Sequence, residues 1–232
     1  MGFNFVMHAS NPAIHKIKIS IIEDSEIHSE WIKAKLESDS CFEIVSIDRS
    51  AKAGIESVKT RNPDLVLLDF QLEDMTGLEA VKRMSAYSEQ IKLFIITAHT
   101  EITIIERIIN DNNIKGLAIK GSQYFEANLK AAVKNVVDGG VYLDPSLLNK
   151  LRESGKSNGI SDLTKREFEV FIQSNAGKTD VKIAEDLCVE LPYIKNIKSK
   201  ITKKIKDTNM DSLLCKLIEN AHPNQIPEGI AV

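Results

Sequence analysis

The chain has no long apolar run. Its longest stretches are a few residues, such as LVLL at 65–68. A helix needs roughly 20 consecutive apolar residues to cross a bilayer, so a membrane-spanning reading is excluded. Cysteine is equally scarce. Cys41, Cys188 and Cys215 are odd in number and far apart, which makes neither a disulfide framework nor a zinc cluster and points to reduced thiols in a cytoplasmic protein. The first residues, MGFNFVMHAS, have no basic segment ahead of an apolar core and do not read as a secretory signal. Gly2 would suit myristoylation, but Val6 stands where Ser or Thr is expected. Neither sign of charge dominates: 30 Lys and Arg oppose 33 Asp and Glu, for a net −3. With 43% hydrophobic and 27% charged residues, the chain is neither collagen-like nor wholly disordered. Its 232 residues suit one large or two small domains.

Two hydrophobic periods alternate from Lys16 to about Asp138. Short apolar runs stand at KISII (18–22), FEIVSI (42–47), DLVLLD (64–69), IKLFIIT (91–97) and KGLAIK (115–120). Helical spacing lies between and after them, as in Phe125, Leu129, Ala132, Val133 and Val136. Strands alternating with helices predict an α/β doubly wound fold with a five-stranded parallel sheet. The third and fourth runs are nearly all apolar, as strands covered on both faces should be. SGKSNGISD (154–162) lacks periodicity and is the best linker. Only helical patterns follow, at about 164–175, 179–187, 192–206 and 211–221. The expected divisions are an N-terminal extension (1–16), an α/β domain (17–138), a short helix and linker (139–162), an all-α domain (163–221) and a flexible tail (222–232).

In an open parallel sheet, function gathers at the C-terminal ends of the strands. There the chain places Glu23 and Asp24, then Asp69, then Thr97, then Lys120. Taken singly, each has an ordinary explanation: Asp24, Asp69 and Thr97 as helix caps or turn residues, Lys120 as a solvated charge. Together they form a complementary set. Three carboxylates repel one another and call for a hard cation, and Mg²⁺ takes oxygen ligands. With the charge neutralised by metal and Lys120, Asp69 can act as a nucleophile toward a phosphoryl group, with Thr97 bonding a phosphoryl oxygen.

On these residues the segment 17–137 resembles the response-regulator receiver domain of two-component signalling. The matching pieces are IIED (21–24), LVLLDFQLEDMTGLE (65–79), IITA (95–98) and AIKG (118–121). The resemblance implies a phosphorylation site at Asp69 fed by a histidine kinase. It implies Mg²⁺ held by Glu23, Asp24, Asp69 and the backbone carbonyl of Gln71, and phosphoryl sensing by Thr97 and Lys120. One position departs from the family: Leu117 stands where an aromatic switch residue is usual. Another element should then carry the signal. EITIIERII (101–109) is a candidate, since its five isoleucines span an arc of about 160° on a helix, wider than one core contact needs. They predict either a deeply packed helix or a face for a partner domain.

The segment 163–206 resembles the helix-turn-helix of LuxR/NarL-type regulators, through LTKRE (163–167), the turn at Gly177, KIAEDL (182–187) and IKNIKSKITKKI (194–205). On a helix begun at Pro192, a favourable first position, Ile194, Ile197, Ile201 and Ile205 form one stripe. Lys195, Asn196, Ser199, Lys203 and Lys206 lie opposite, with Lys200 at the margin. Such a polar face fits a major groove. The resemblance implies double-stranded DNA as partner, with Lys195, Asn196 and Ser199 toward bases and the flanking lysines toward phosphate. It also implies a homodimer when active, through the helix at 211–221. The expected whole is a cytoplasmic, non-enzymatic response regulator controlling transcription. The alternative is a phosphorylation-independent transcription factor governed by a protein partner or ligand, which Leu117 favours. An aspartate-nucleophile phosphohydrolase is disfavoured, because Gln71 stands where such enzymes place a second Asp.

Overall fold

The computed structural model describes residues 16–88, 90–154, 160, 162–175 and 178–206, with backbone only at 205 and 206. Strand β1 (Ile17–Ile22) is followed by α1 (Glu26–Glu37), β2 (Phe42–Asp48), α2 (Ala51–Arg61), β3 (Leu65–Asp69), α3 (Gly77–Tyr87) and β4 (Lys92–Thr97). Then come α4 (Ile102–Ile109), β5 (Ile114–Ile119), α5 (Gln123–Val137), β6 (Tyr142–Leu143) and α6 (Pro145–Ser154). Three further helices close the described chain: α7 (Lys165–Asn175), α8 (Asp180–Asp186) and α9 (Leu191–Lys206). Helix starts follow local chemistry. Ser25, Ser50 and Thr76 each accept a hydrogen bond from the amide three residues on, meeting a donor that the first turn leaves unpaired. Asn62, in the left-handed region at φ 48°, stops α2.

The strands run in the order β2-β1-β3-β4-β5-β6, and every neighbouring pair is parallel. All their C-terminal ends therefore share one edge. A crevice opens between β1 and β3, where the chain turns outward in opposite directions. Ile32 and Leu36 of α1 and Phe125 and Leu129 of α5 pack on one face, with Ile21, Leu67 and Phe94 from the strands. Helices α2, α3 and α4 cover the other, around Leu68, Ile95 and Leu117. That second cluster continues through Leu147, Leu148 and Leu151 of α6 into Phe168 and Phe171 of α7. The Arg152 guanidinium seals the passage: it lies 4.4 Å from the Phe168 ring centroid and donates to the carbonyl of Leu163.

The sheet has six strands where five were expected. The extra strand, β6, is two residues long and too short for a period-2 pattern to reveal. It is fixed by packing: the Tyr142 ring stacks on Phe94 at 5.6 Å, and the Asp144 amide donates to Leu117 O at 2.8 Å. Helix α9 begins at Leu191 rather than Pro192, which keeps the proline in the first turn, where its missing N–H costs nothing. The wide apolar arc of α4 is also accounted for. Ile105, Ile108 and Ile109 are buried, and Ile102 and Ile104 pack against the same cluster. With β5 and α6 both against this helix, the face a partner would use is taken up by the chain's own α6. The N-terminal extension, most of the linker, the turn at Gly177, the helix expected at 211–221, the tail and Cys215 lie outside the described residues.

Gly116 permits the closest approach in the sheet. A Cβ there would lie 2.2 Å from Phe94 Cδ2, and that ring is held between Phe125 and Tyr142. Gly116→Ala should lower stability by about 1–3 kcal/mol, read as a lower urea midpoint with unchanged slope. Adding Phe94→Leu should return part of the loss; if it deepens the loss instead, the ring is not the obstacle.

Candidate functional site

Three loops deliver the site. β1 runs into Glu23 and Asp24, β3 ends on Asp69, and β5 hands over to Lys120. Glu23 and Asp69 are only 2% and 5% exposed, so water does little to screen them. A single ammonium joins them: Lys120 Nζ donates to Asp69 Oδ2 at 2.7 Å and to Glu23 Oε1 at 2.9 Å. Carboxylate oxygens of Glu23, Asp24 and Asp69 lie within 4.8 Å of one another. Three carboxylates against one ammonium leave two uncompensated negative charges. An all-oxygen donor set with that deficit fits a hard divalent cation. The sequence-predicted Glu23, Asp24, Asp69 and Lys120 are thus brought together. Thr97 is fully buried at the end of β4, and its Oγ1 accepts from the His99 amide at 3.0 Å. Gln71 follows Asp69, donating its amide to Asp69 Oδ1 at 3.2 Å. A cleft of about 250 Å³ opens over these groups, lined by Asp24, Asp69, Gln71, Ala98, His99 and Lys120 among others.

The two buried carboxylates are driven apart in acidity. Burial acts to raise Glu23, but hydrogen bonds from His28 and Lys120 outweigh it and hold this carboxyl below its ordinary value. Burial also raises Asp69, and there it prevails: the bond from Lys120 opposes it, while the neighbouring Glu23 charge adds to it. Lys120 is raised by the same two partners against its own desolvation.

Sequence reasoning missed two histidines. His28 Nδ1 lies 2.6 Å from Glu23 Oε2; since an ionised carboxylate only accepts, the imidazole donates. His28 also stacks on Trp31, with ring centroids 5.9 Å apart. The available signal was its place in the first turn of α1, where a side chain can reach back to the preceding loop. His99 Nε2 lies 2.8 Å from Gln71 Oε1, joining the loops after β3 and β4 across the cleft. Nothing in the linear spacing foretells that pair. Leu117 is fully buried between Ile95 of β4 and Leu143 of β6.

On α9, Ile194, Ile197 and Ile201 are buried, while Lys195, Asn196, Ser199, Lys200 and Lys203 are exposed. Ile205 and Lys206 lie outside the residues whose side chains are described. Two lysines of the run do internal work instead. Lys198 is buried and paired with Asp180. Lys204 bonds Glu167 at 2.7 Å. Glu167 in turn accepts from the Thr164 amide at 2.7 Å, while Thr164 Oγ1 accepts from the Glu167 amide. LTKRE therefore folds as a capping box.

The sequence profile of the response regulator receiver domain matches residues 19–123. The chain carries a response regulator receiver domain. Curated relatives extend the likeness well past it. The transcriptional regulatory protein LnrK of Bacillus subtilis is 26% identical over 202 residues, covering 82% of this chain and 90% of that protein. A nitrate/nitrite response regulator protein homolog of Haemophilus influenzae is 28% identical over 181 residues, covering 78% of this chain and 86% of its own length. Response regulator protein VraR of Staphylococcus aureus is 27% identical over 192 residues, covering 82% and 90%. Among solved structures, a two-component response regulator RcsB–DNA complex aligns with 88% of this chain and 98% of that one, at TM-score 0.56 and 18% identity. A LuxR-family two-component response regulator from Aurantimonas aligns with 60% and 98%, at TM-score 0.56 and 19% identity. These structural likenesses establish the fold: the response regulator couples a flavodoxin-like receiver to a helical C-terminal region. No described helix is long and apolar enough to cross a membrane.

The raised Asp69 carboxyl has a consequence for stability. A carboxyl whose folded value lies above its unfolded value opposes folding once ionised, so its cost is present at neutral pH and fades as acid protonates it. In metal-free buffer at pH 7, Asp69→Asn should therefore stabilise the regulator by about 0.5–2 kcal/mol. The gain should shrink as pH falls through the raised Asp69 range. An unchanged or lowered urea midpoint at pH 7 would show that the bond to Lys120 outweighs the burial.

Proposed function

We propose that this response regulator accepts a phosphoryl group on Asp69 from a histidine kinase in the cytoplasm and binds double-stranded DNA through α9, as a homodimer when active. The observation that carries the first half is the Lys120 ammonium bridging two buried carboxylates at the crevice of the sheet. Asp69 Oδ2 is engaged by the Lys120 ammonium, while Oδ1 accepts the longer bond from the Gln71 amide and keeps a second lone pair to attack phosphorus. The new P–O bond forms as the P–N bond of a phosphohistidine breaks. The bonding pair returns to an imidazole whose other nitrogen carries a proton, so the ring leaves neutral. Lys120 can move its proton-bearing nitrogen onto the phosphoryl oxygens, and the buried Thr97 hydroxyl can donate to one of them while still accepting from His99. Glu23, Asp24, Asp69 and the Gln71 carbonyl are the groups that would hold Mg²⁺, which when bound neutralises phosphoryl charge. No external substrate is implied, and any phosphatase action would be slow hydrolysis of its own acyl phosphate.

For DNA, the support is the split face of α9. Lys203, toward the far end, is suited to phosphate; Lys195 and Asn196, in the first half, and Ser199, just past the middle, are suited to base edges. Lys200 and Lys206 extend the basic run. Lys198 and Lys204 are removed from this role by their bonds within the helical region. A second reading, control by a protein partner or ligand without phosphorylation, rests on Leu117, which is aliphatic, fully buried and has no hydroxyl to swing inward.

Asp69→Asn should abolish Mg²⁺-dependent labelling by acetyl phosphate; labelling of that variant at the wild-type level would refute the assignment. A wild type that takes up beryllofluoride without changing oligomeric state or DNA affinity would favour the second reading.

Lys203→Ala should weaken specific and scrambled duplexes alike and lower the salt slope by about one unit. Asn196→Ala should cost roughly 1–3 kcal/mol on the specific site and little elsewhere. Equal losses on both duplexes for Asn196→Ala would place that residue off the bases. Lys198→Ala serves as a contrast, since it should lower the melting temperature of the helical region.

A further inference from the structure

The turn that presents Lys120 is held at both ends by one buried carboxylate. Lys120 and Gly121 are its two central residues, closed by a bond from Ser122 N to Ile119 O at 3.1 Å. Gly121 sits at φ +72°, as the third position of a type II turn requires. Asp144 reaches both corners. Its Oδ1 accepts from Ser122 Oγ at 3.0 Å and its Oδ2 from Ile119 N at 3.4 Å. It is completely buried, and its donors, which include the Ser146 amide at 2.9 Å and the Ser146 hydroxyl at 2.6 Å, are all neutral.

Asp144 is also the hinge point of everything downstream. Its amide extends the β5–β6 ladder to Leu117 O at 2.8 Å. α6 starts at the next residue. The preceding carbonyl, of Leu143, accepts a hydrogen bond from Asn175 on α7. The turn carrying Lys120, the start of α6 and the flank of α7 thus meet within two residues. A plain helix cap would explain the two bonds from Ser146. It would not explain full burial, nor a second set of bonds reaching back across the sheet edge to residues 119 and 122.

Building on the phosphoacceptor reading of Asp69, we infer that Asp144 is the positioning residue that couples phosphoryl occupancy at Asp69 to the packing of α6 and α7. Lys120 holds Asp69 and Glu23 in the resting site. New phosphoryl oxygens redistribute that ammonium, and the short turn bearing it cannot shift without pulling on Asp144. Because Leu117 leaves no aromatic side chain to relay the change, this turn and its hydrogen bonds to Asp144 form the short route from Lys120 to the helical region.

The experiment compares the full-length wild type with Ser122→Ala, Asp144→Asn and Ser146→Ala, each with Mg²⁺ and beryllofluoride. Occupancy is read by fluorine NMR, and transmission by amide exchange over 145–154 and 165–175. Wild-type exchange in both segments should change on binding. Ser122→Ala, which cuts the shorter of the two turn-side bonds and leaves the one from the Ile119 amide, should bind beryllofluoride within about twofold of wild type yet show a response smaller by about threefold or more. Asp144→Asn should lose the response as well, and Ser146→Ala, which trims only the cap side, should keep it. A wild-type response in Ser122→Ala would overturn the inference. So would loss of beryllofluoride binding in that variant, which would make the contact part of site assembly. A wild type that binds no beryllofluoride would refute the phosphoacceptor reading itself, and the coupling with it.

Discussion

The bond from the Lys120 ammonium to the buried carboxylates of Glu23 and Asp69 is the constraint from which the rest of the receiver takes its meaning. Two carboxylates almost sealed from water would each be expensive to ionise alone. One shared cation makes the pair tolerable without making it comfortable, and the opposite displacements of Glu23 and Asp69 record the imbalance. His28 sharpens it by spending its proton on Glu23. The carboxyl so relieved stays ionised as a potential metal ligand, while the other, Asp69, keeps one oxygen clear of Lys120. A parallel sheet is what makes this possible: three strands that are not consecutive in sequence, β1, β3 and β5, must all end on one edge, and parallel order puts them there, with β4 between the last two.

Most of that site was legible because its residues follow strands whose apolar runs are unambiguous. Five buried positions in a row, Leu65–Asp69, read as a strand from hydrophobicity alone, and the acid at its end needs only counting. What escaped notice was set by tertiary packing. β6 owes its place to a ring stack between Tyr142 and Phe94 rather than to any period of its own. His28 and His99 reach partners on other loops, at separations no spacing rule covers. Through Lys203 the helical wheel of α9 separates buried isoleucines from exposed polar residues as expected, but it could not say which lysines are committed within the fold. Lys198 and Lys204 look like their neighbours until Asp180 and Glu167 come into view.

The same limit shows in α4. A wide isoleucine arc is equally consistent with deep packing and with a face awaiting a partner, because a helix wheel reports only that an apolar surface must be covered. Here α6, a helix later in the same chain, supplies the cover along one side and β5 along the other. The apolar cluster therefore runs without a break from the receiver sheet through α4 and α6 into α7. Packed cores switch between discrete arrangements more readily than they deform continuously, so on the proposed coupling a displacement at the sheet edge would be met by repacking at α6.

The position of α7 bears on how such a choice could act. The receiver meets the helical region through α6 and α7, at Arg152 on Phe168 and at Asn175 on Leu143. The elements packed most closely on α9 are α7 and α8. Among the described residues its polar side, from Lys195 to Lys203, is exposed. On the proposed coupling, phosphorylation acts on how α7 is held against β6, and hence on the angle at which α9 is offered. On the proposal that the protein binds DNA as a pair, that angle decides whether two copies of α9 meet successive grooves about 34 Å apart.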